Sequence, residues 1–362
     1  MTAFVLDVGW VNGLAAIRLL GRAGIRVHAV DHRDGALGFR SRYAHPVVCP
    51  DPAVDEAAFV ECLAAIGETG VLFPTHDPPL NAVARHRDRL EGFLCPFPDW
   101  SVLERIQDKR FQLETAAAVG VDAPETRYPS SGAEARAAGD ELGYPVLVKP
   151  RHPVGFKRRF GTQAFRCETA ADLETAYADA ETFEPMVQEL VPGGDDELYS
   201  LGSYLRRDGE PLGLFCGRKL RQTPPGIGTC RVGEAVWVQD VVDAGLRLLR
   251  ALEFHGISQV ELKRDPRDGR YKLMEVNPRL WQWHGLAAAC GVDLPVIAYR
   301  DLTGEAVSPA AMNGNGRRWA ITLLPGERPA VQRPPYVEAV FALDDPKPGV
   351  VHLARVARGV LL

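Results

Sequence analysis

The sequence lacks the marks of several large protein classes. It has no run of about 18 uncharged apolar residues, so we expect no membrane-spanning helix. Its first residues show no cationic stretch before an apolar core, and Asp7 interrupts the first apolar run, so we expect no signal peptide. No segment repeats at a fixed period, which argues against a solenoid. A net charge of −5 and a pI of about 6.0 provide no basic field for nucleic acid.

Paired cysteines are missing too. The 7 cysteines are dispersed, odd in number and without any Cys-x-x-Cys spacing, which argues against a disulfide framework and against a zinc site. We therefore expect reduced thiols and a cytoplasmic protein. The composition is otherwise ordinary, with 46% hydrophobic and 25% charged residues, and a length of 362 residues predicts two or three domains.

The beginning of the chain predicts a parallel sheet. An apolar strand at 3–8, a loop with two glycines at 9–13, a helix at 14–20 and a second strand at 25–31 form a βαβ unit. The loop could cradle a phosphate at the helix N-terminus. It lacks the three-glycine dinucleotide fingerprint, however, so a tight structural turn is favoured.

Polar and proline-rich residues predict where the next elements begin. Asp77 follows a strand at 71–74, at a place where open α/β sheets bind ligands, but it could equally cap the next helix. The Pro-rich run at 95–98 predicts a domain boundary. After it, Ser101 and Glu104 have the capping-box spacing of a helix start.

Lys149 ends an apolar strand, and Pro150 prevents the strand from continuing. A partly buried lysine in this position needs an anion, unless its ammonium group reaches solvent at the strand end. The strongly basic residues 151–165 follow. We expect them to form either a flexible flap that covers phosphates or a solvated β-hairpin.

Two later segments contain further charged candidates. A strand at 186–191 is followed by an acidic break at 195–197. Arg218, Lys219 and Arg221 then add positive charge. Arg221 could bind a phosphate or a substrate carboxylate, although a solvated charge cluster is the favoured interpretation.

The most informative pattern is a hairpin within residues 257–279, whose two strands flank a turn rich in Asp and Gly. Strand alternation predicts Glu261 opposite Glu275 and Leu262 opposite Met274. The predicted apolar face carries Val260, Leu262, Met274 and Val276, and the predicted polar face carries Glu261, Glu275 and Asn277.

Two carboxylates that face each other across paired strands repel, so we expect a cation between them. Mg²⁺ fits because it takes carboxylate oxygens and completes its octahedron with phosphate oxygens and water, and Mn²⁺ is the alternative. The competing hypothesis is a solvated hairpin face on which the glutamates pair with Lys263 or Arg279.

The order of these segments resembles the ATP-grasp superfamily and, within it, the carboxylate–amine ligases. The resemblance runs from Asp108-Lys109 to the Glu-x-Asn at 275–277 and covers nearly the whole chain. It implies an α/β fold in which two α+β subdomains clasp ATP, preceded by a Rossmann-like pre-ATP-grasp domain. The implied domains are residues 1–98, 99–187, 188–305 and a C-terminal extension at 306–362 that packs on the catalytic core.

The same resemblance implies a role for each matching residue. Lys109 and Lys149 are implied to bind the phosphates of ATP. The adenine is implied to bind to the segment Gln188, Glu189, Leu190 and Val191, and the ribose to Glu197 or, less expectedly, to Asp196. The implied metal ligands are Glu261, Glu275 and Asn277, and Arg279 is the implied cation that stabilises the transferring phosphoryl group or the acyl phosphate. Together with Lys149, and with Arg221 and His284 as candidates from their own positions, Arg279 forms the predicted catalytic group. The basic segment departs from the family because it is poorer in Gly and Ser.

The implied chemistry is activation of a carboxylate by ATP. The γ-phosphoryl group moves to the carboxylate, and an amine attacks the acyl phosphate to give an amide, ADP and phosphate. Trp281 and Trp283 could line the acceptor pocket or belong to the core, and His284 could be the base for the amine or simply begin a helix.

Two other functions share this pattern, namely a small-molecule kinase of the same fold and a non-catalytic ATP-binding regulator. We expect small carboxylates and amines, amino-acid-like in character, as binding partners, and neither nucleic acid nor a membrane. A homodimer is compatible with the sequence, which does not fix the oligomeric state.

Overall fold

The structure, a computed structural model, describes residues 1–321 and 336–358 of the chain. Within these residues, three sheets with flanking helices organise the fold, and they are named here the N-terminal, the middle and the large sheet. No helix in the described ranges is long and apolar enough to cross a membrane.

The N-terminal sheet confirms the predicted parallel arrangement. Its elements are β1 (Thr2–Leu6), α1 (Val11–Arg22), β2 (Val27–Asp31), β3 (Ala44–Val48), α2 (Glu56–Ala65), β4 (Gly70–Pro74) and α3 (Asp77–Arg85). The strands pair in parallel in the order β3-β2-β1-β4. Successive connections therefore run to opposite sides of β1, which opens a crevice at the carboxyl ends of β1 and β4.

Two helices lead from the N-terminal sheet to the middle sheet, namely α4 (Trp100–Gln107) and α5 (Lys109–Ala118). Asp108 separates them and caps α5 by accepting hydrogen bonds from the backbone N–H groups of Arg110 and Phe111. The capping box predicted at Ser101 and Glu104 is wrong, because α4 begins two residues earlier than a cap at Ser101 requires, with Asp99 at the cap position and no side-chain cap.

The middle sheet is antiparallel, with the strand order β5-β8-β6-β7. Its elements are β5 (Thr126–Arg127), α6 (Gly132–Leu142), β6 (Val146–Lys149), α7 (Pro153–Phe160), β7 (Phe165–Cys167), α8 (Ala170–Ala180) and β8 (Met186–Glu189). The strand predicted to end in a lysine is confirmed, because Lys149 is the last residue of β6.

The basic segment forms the helix α7, so neither the predicted flexible flap nor the predicted β-hairpin is present. Phe156 and Phe160 lie four residues apart and therefore on one helix face. Phe156 is fully buried, with ring centroids 4.8 Å from Phe160, 5.0 Å from Phe165 and 5.5 Å from Phe183. Gly161, with a φ of 69°, then ends the helix in the left-handed conformation that glycine adopts readily.

The large sheet completes the chain, with strands ordered β13-β12-β9-β10-β11-β15-β16 and β14 beside β10. Its first elements are β9 (Leu198–Leu205), β10 (Pro211–Thr223), β11 (Thr229–Ala235), α9 (Gln239–Ala251), β12 (Gly256–Arg264) and β13 (Tyr271–Asn277). They are followed by α10 (Gly285–Ala289), α11 (Leu294–Leu302), β14 (Ala310–Ala311), β15 (Arg318–Ala320), β16 (Tyr336–Glu338) and α12 (Lys347–Ala357).

One hydrophobic core joins the N-terminal sheet to the large sheet. Ile17 of α1 belongs to the same buried cluster as Trp283 and Trp319. The segment before α12 is held to α1 by a buried ion pair, in which Nε of Arg18 lies 2.9 Å from Oδ2 of Asp345. The middle sheet has a separate core of its own. The domain boundaries at 98, 187 and 305 remain predictions.

Candidate active site

A cavity of about 350 Å³ lies where the three sheets meet. Asn12 and His76 contribute from the carboxyl ends of β1 and β4, which is the crevice that the strand order creates. Lys149 contributes from the middle sheet, and Glu261 and Glu275 contribute from the large sheet. The cavity therefore collects residues that the sequence separates by more than two hundred positions.

The hairpin has the predicted register at its charged residues. Glu261 pairs directly with Glu275, as expected from alternation. A bulge then shifts the register, so that Leu262 pairs with Leu273, and the predicted pairing with Met274 is wrong. Leu273 fills the apolar core in its place, while Met274 lines the cavity.

Glu261 is neutralised by a lysine on another strand. Nζ of Lys219 lies 2.9 Å from Oε1 of Glu261 and 3.1 Å from Oε2, and Nε2 of Gln259 donates to Oε1 over 2.9 Å. Burial opposes the ammonium charge, yet the Glu261 carboxylate raises the pKa of Lys219 above its usual value. The pair is therefore charged and almost completely enclosed by protein.

Lys219 reaches Glu261 across β9, which lies between β10 and β12. In the paired strands, Ser200 of β9 stands between Glu261 and Gly217. Ser200 and Gly202 have small side chains or none, so they leave room above the sheet. A Cβ atom on Gly202 would lie 2.1 Å from the Trp281 ring. Small residues in β9 thus allow the lysine, the glutamate and the indole to meet.

Glu275 has a lysine partner of its own. Nζ of Lys109 lies 3.1 Å from Oε2 of Glu275, and Nδ2 of Asn277 donates to Oε1 over 3.0 Å. Burial would raise the pKa of Glu275, but Lys109 and Asn277 hold it far below its usual value. Gln112, on the same helix as Lys109, accepts a 2.9 Å hydrogen bond from the Val276 N–H and so fixes the edge strand that carries Glu275.

Lys149 differs from these two lysines because its partner is neutral. Its Nζ donates to Oε1 of Gln188 over 2.7 Å. Burial, and secondarily the positive charge of Lys109, lower the pKa of Lys149 to about 7. An anion that enters the cavity beside Lys149 would restore its charge, as expected for a phosphate-binding lysine.

Arg279 is held by the N-terminal sheet. Its Nε lies 2.6 Å from Oδ1 of Asp77, and its Nη2 lies 3.4 Å from Oδ2 of Asp77 and 3.3 Å from Oδ1 of Asn277. Burial opposes the charge of the guanidinium, but Asp77 raises the pKa of Arg279. Asp77 is the first residue of α3 and His76 is at the cap position, so the predicted role of Asp77 as a cap is wrong, and its role at a ligand site stays a prediction.

The predicted adenine segment lies partly on the cavity wall. Leu190 and Val191 line the cavity, and Gln188 contacts it through Lys149. The Glu189 carboxylate points elsewhere, because Lys272 and Arg267 hold it at 2.5 Å and 2.6 Å.

The acidic break after β8 lies outside the cavity wall. Oε2 of Glu197 is 3.7 Å from Nη1 of Arg264, and Asp196 is exposed. Asp195 accepts hydrogen bonds from the Gln222 side chain and from the Gly226 backbone N–H. The structure therefore does not bring the predicted ribose residue to the cavity.

Two members of the predicted catalytic group lie off the cavity. Arg221 is exposed on β10, since register shifts on both sides of it turn Gln222 toward the cavity in its place. His284 is buried behind the wall at the N-terminal end of α10, with Nε2 3.0 Å from the backbone oxygen of Asn12. Burial lowers the pKa of His284 to about 4, so the imidazole is neutral. A role as base for the amine does not fit this position.

The two tryptophans have the core position predicted for them, and the acceptor-pocket role stays a prediction. Trp281 and Trp283 are buried members of the shared core, and both also border the cavity. Near them, Oδ1 of Asn12 and Nε1 of Trp281 are buried and have no hydrogen-bond partner among the described residues. Such atoms are costly to bury, which favours a polar ligand or water at this end of the cavity.

Lys219 was predicted only as one residue of a charge cluster. Its contact with Glu261 could not be predicted, because Lys219 and Arg221 are both basic and, two residues apart on one strand, should point to the same side of the sheet. Only the bulge that follows Lys219 separates a buried lysine from an exposed arginine. Lys157 also lines the cavity, as part of the basic segment.

Comparison with known proteins points to one superfamily. A family model described as the ATP-binding domain of the carbamoyl-phosphate synthase L chain matches residues 236–308. D-aspartate ligase of Enterococcus faecium is 26% identical over 210 residues, which cover 54% of this chain and 50% of the relative. The chain thus spans about half the length of that curated relative.

Solved structures extend the likeness to most of the fold. A biotin carboxylase complex from Campylobacter jejuni matches with a TM-score of 0.67 and 17% identity, over 84% of this chain and 72% of the other. The N5-carboxyaminoimidazole synthetase of Staphylococcus aureus matches with a TM-score of 0.67 and 15% identity, over 86% of this chain and 79% of the other. The family match, the relative and the shared fold agree with the order of motifs, and they confirm the predicted ATP-grasp fold and the resemblance to the ATP-grasp superfamily.

Proposed function

We propose that this protein is an ATP-dependent carboxylate–amine ligase that forms an amide through an acyl phosphate and releases ADP and phosphate. One observation carries the proposal. The opposed Glu261 and Glu275, the lysines Lys109 and Lys149, and Arg279 surround one cavity that also opens to the N-terminal sheet. Carboxylates for a metal, cations for phosphates and room for a second substrate are the parts that phosphoryl transfer to a small molecule needs.

The residues present fit a nucleotide. Leu190 and Val191 provide an apolar wall directly after β8, and Lys263 orders that segment by donating to the backbone oxygens of Val191 and Gly193 over 2.8 Å and 3.0 Å. Burial lowers the pKa of Lys149 to about 7, and a bound anion would favour its charged form. We assign the phosphates to Lys149 and Lys109 and the adenine to the wall at 190–191. The residue that binds the ribose stays open, since Glu197 lies off the cavity.

The residues also fit a hard divalent cation. Glu261, Glu275 and Asn277 offer oxygen atoms at one place, and such oxygens are the ligands that Mg²⁺ and Mn²⁺ prefer. When bound, the metal would neutralise charge on the transferring phosphoryl group. Arg279 would then stabilise negative charge on the same group, from a position that Asp77 fixes.

The second substrate is assigned to the end of the cavity near the N-terminal sheet. Arg231 and Arg279 line the cavity and suit a carboxylate. Oδ1 of Asn12 suits an N–H donor, since its amide nitrogen is already engaged by Thr75. We propose amino-acid-like substrates on this basis. The similarity to a D-aspartate ligase supports an amino acid as one of them. The dispersed free thiols support a cytoplasmic location.

A hydroxylamine trap tests the proposal. The full-length protein, MgATP and hydroxylamine are incubated with a panel of amino acids and small carboxylic acids, and hydroxamate and ADP are measured together. A ligase releases the two in equal amounts with its own carboxylate, because hydroxylamine attacks the mixed anhydride. ADP with a stable phosphate ester and no hydroxamate would show a kinase. Nucleotide binding without ADP release across the panel would show a regulator, and AMP with pyrophosphate would show adenylation.

A further inference from the structure

The three residues assigned to the metal are already occupied by N–H donors of the protein. Both oxygens of Glu261 face the ammonium group of Lys219, at 2.9 Å and 3.1 Å. Glu275 accepts from Lys109 and from the Asn277 amide. The third oxygen assigned to the metal, Oδ1 of Asn277, accepts a hydrogen bond from Nη2 of Arg279 over 3.3 Å. Among the described residues, moreover, no three His, Cys, Asp or Glu side chains group as a metal site.

A metal ion and these ammonium groups compete for the same oxygens. Mg²⁺ binds carboxylate oxygens at about 2.0–2.1 Å, so at these glutamates it would lie within a few ångströms of the ammonium groups of Lys219 and Lys109, which bind the same oxygens. A divalent cation and an ammonium group a few ångströms apart also repel strongly where water is excluded. Metal entry is therefore opposed for as long as both lysines keep their glutamates.

The balance of charge shows what makes that exchange favourable. Two glutamates and two lysines leave the metal-binding face neutral, so a divalent ion alone would add two uncompensated charges to a buried site. The phosphates of ADP or ATP bring more negative charge than the metal brings positive charge. They also offer the displaced ammonium groups new oxygen partners within the same cavity.

We infer that Lys219 and Lys109 are placeholders for the metal, so that free metal is rejected and metal enters only together with nucleotide. The inference rests on the proposed function, and it gives Lys219 a definite part in the nucleotide-binding cycle. It predicts a gain on mutation: removing a placeholder lysine should make the nucleotide-free protein bind metal more tightly.

Mn²⁺ binding to the full-length protein, measured by electron paramagnetic resonance and by calorimetry, tests the inference. For wild type we expect weak binding of Mn²⁺ alone and much tighter binding with saturating ADP. Lys219→Met should bind Mn²⁺ alone at least about tenfold more tightly than wild type and should gain less from ADP, because Glu261 is free. Lys219→Arg keeps the charge and should behave like wild type.

Lys263→Met is the matched control. It removes a buried lysine from the same cavity, but that lysine binds backbone oxygens and frees no carboxylate. Its affinity for Mn²⁺ alone should stay within about twofold of wild type. If Lys219→Met is too unstable to study, Lys109→Met tests the same exchange at Glu275. Mn²⁺ should also raise the melting temperature of either placeholder variant more than that of wild type.

The outcomes separate the inference from the function. Tight binding of Mn²⁺ alone by wild type overturns the inference. Equal Mn²⁺ affinities for Lys219→Met and Lys263→Met overturn it as well, even where ADP-dependent metal binding remains normal. If wild type binds no Mn²⁺ with ADP and forms no hydroxamate, the proposed function fails, and the inference fails with it.

Discussion

Asp77→Asn removes the negative charge that holds Arg279 and changes almost nothing in shape. The two atom pairs lie at 2.6 Å and 3.4 Å, and the side chains of Arg279 and Asp77 are 16% and 27% exposed. Exposed pairs contribute about 0–1 kcal/mol, whereas loss of a fully buried partner costs about 3–5 kcal/mol. The intermediate exposure suggests a loss of about 2 kcal/mol.

We expect that loss to fall on turnover and not on nucleotide binding. If it appears as misalignment of Arg279 in the transition state, kcat for hydroxamate formation drops by roughly 30-fold. The affinity for ADP should stay within about twofold, because Asp77 contacts Arg279 and is not one of the residues that line the cavity, whereas Leu190 and Val191 are.

Two controls make the result decisive. Asp77 is in the first turn of α3, so its charge also favours the helix dipole, and Asp240→Asn in the first turn of α9 measures that general effect at an exposed site. In an Arg279→Ala background, Asp77→Asn should cost little further activity, because both changes affect one interaction. Additive losses in the double variant, or a single variant with wild-type kcat, would refute the reasoning.

Three further perturbations address the rest of the site. Glu275→Gln should keep the fold, since the side chain faces the cavity, yet reduce ADP release at least about 100-fold, measured over a range of Mg²⁺ concentrations; wild-type turnover at limiting Mg²⁺ would reject the metal assignment. Lys149, with a pKa of about 7, is mostly neutral at pH 8 and mostly charged at pH 6. Bound phosphate should raise this pKa, because it stabilises the charged ammonium group. ADP binding should therefore be accompanied by the uptake of nearly one proton at pH 8 and of almost none at pH 6. Calorimetry in buffers of different ionisation enthalpy measures this uptake, which Lys149→Met should abolish. Phe156→Ala should lower the free energy of unfolding of the middle-sheet region by about 3–4 kcal/mol, measured by chemical denaturation. If it destabilises the protein less than the control Tyr128→Ala, which removes an exposed ring, then the aromatic face of α7 does not anchor the helix.

The success of the hairpin prediction has a local cause. Period-two alternation and a turn closed by Gly269, whose φ is 77°, fix which residues can pair, so Glu261 and Glu275 could be placed from the sequence. The bulge at Met274 could not, because a single extra residue leaves no mark in the pattern of apolar and polar residues. Three strands of the parallel N-terminal sheet were similarly predictable because β1, β2 and β4 are completely buried, mainly apolar runs. The edge strand β3, with His45 and Pro46 exposed, carries no such pattern and was not predicted.

The misses depend on tertiary contacts. The segment 151–165 was assigned from its charge, but four phenylalanines that cluster in the folded chain decide in favour of a helix. Arg279 pairs with Asp77, which lies far away in the sequence, and no local pattern connects the two. His284 follows Arg279 closely in the chain, yet the start of α10 turns it behind the cavity wall. The sequence could thus indicate which charged residues are candidates for the site, but it could not indicate which residue each of them contacts.

The core shared by the N-terminal and large sheets decides how the protein can be divided. Cutting the chain after residue 98 would strip Ile17 and its neighbours from Trp283 and Trp319 and would leave His284 without the Asn12 oxygen. The part of the chain after residue 98 should therefore not fold in isolation. The middle sheet has its own core around Phe156, so it is the part we expect to tolerate exchange with an equivalent module from another protein. Recombination between members of the superfamily would then succeed at the edges of residues 126–189 and fail at residue 98.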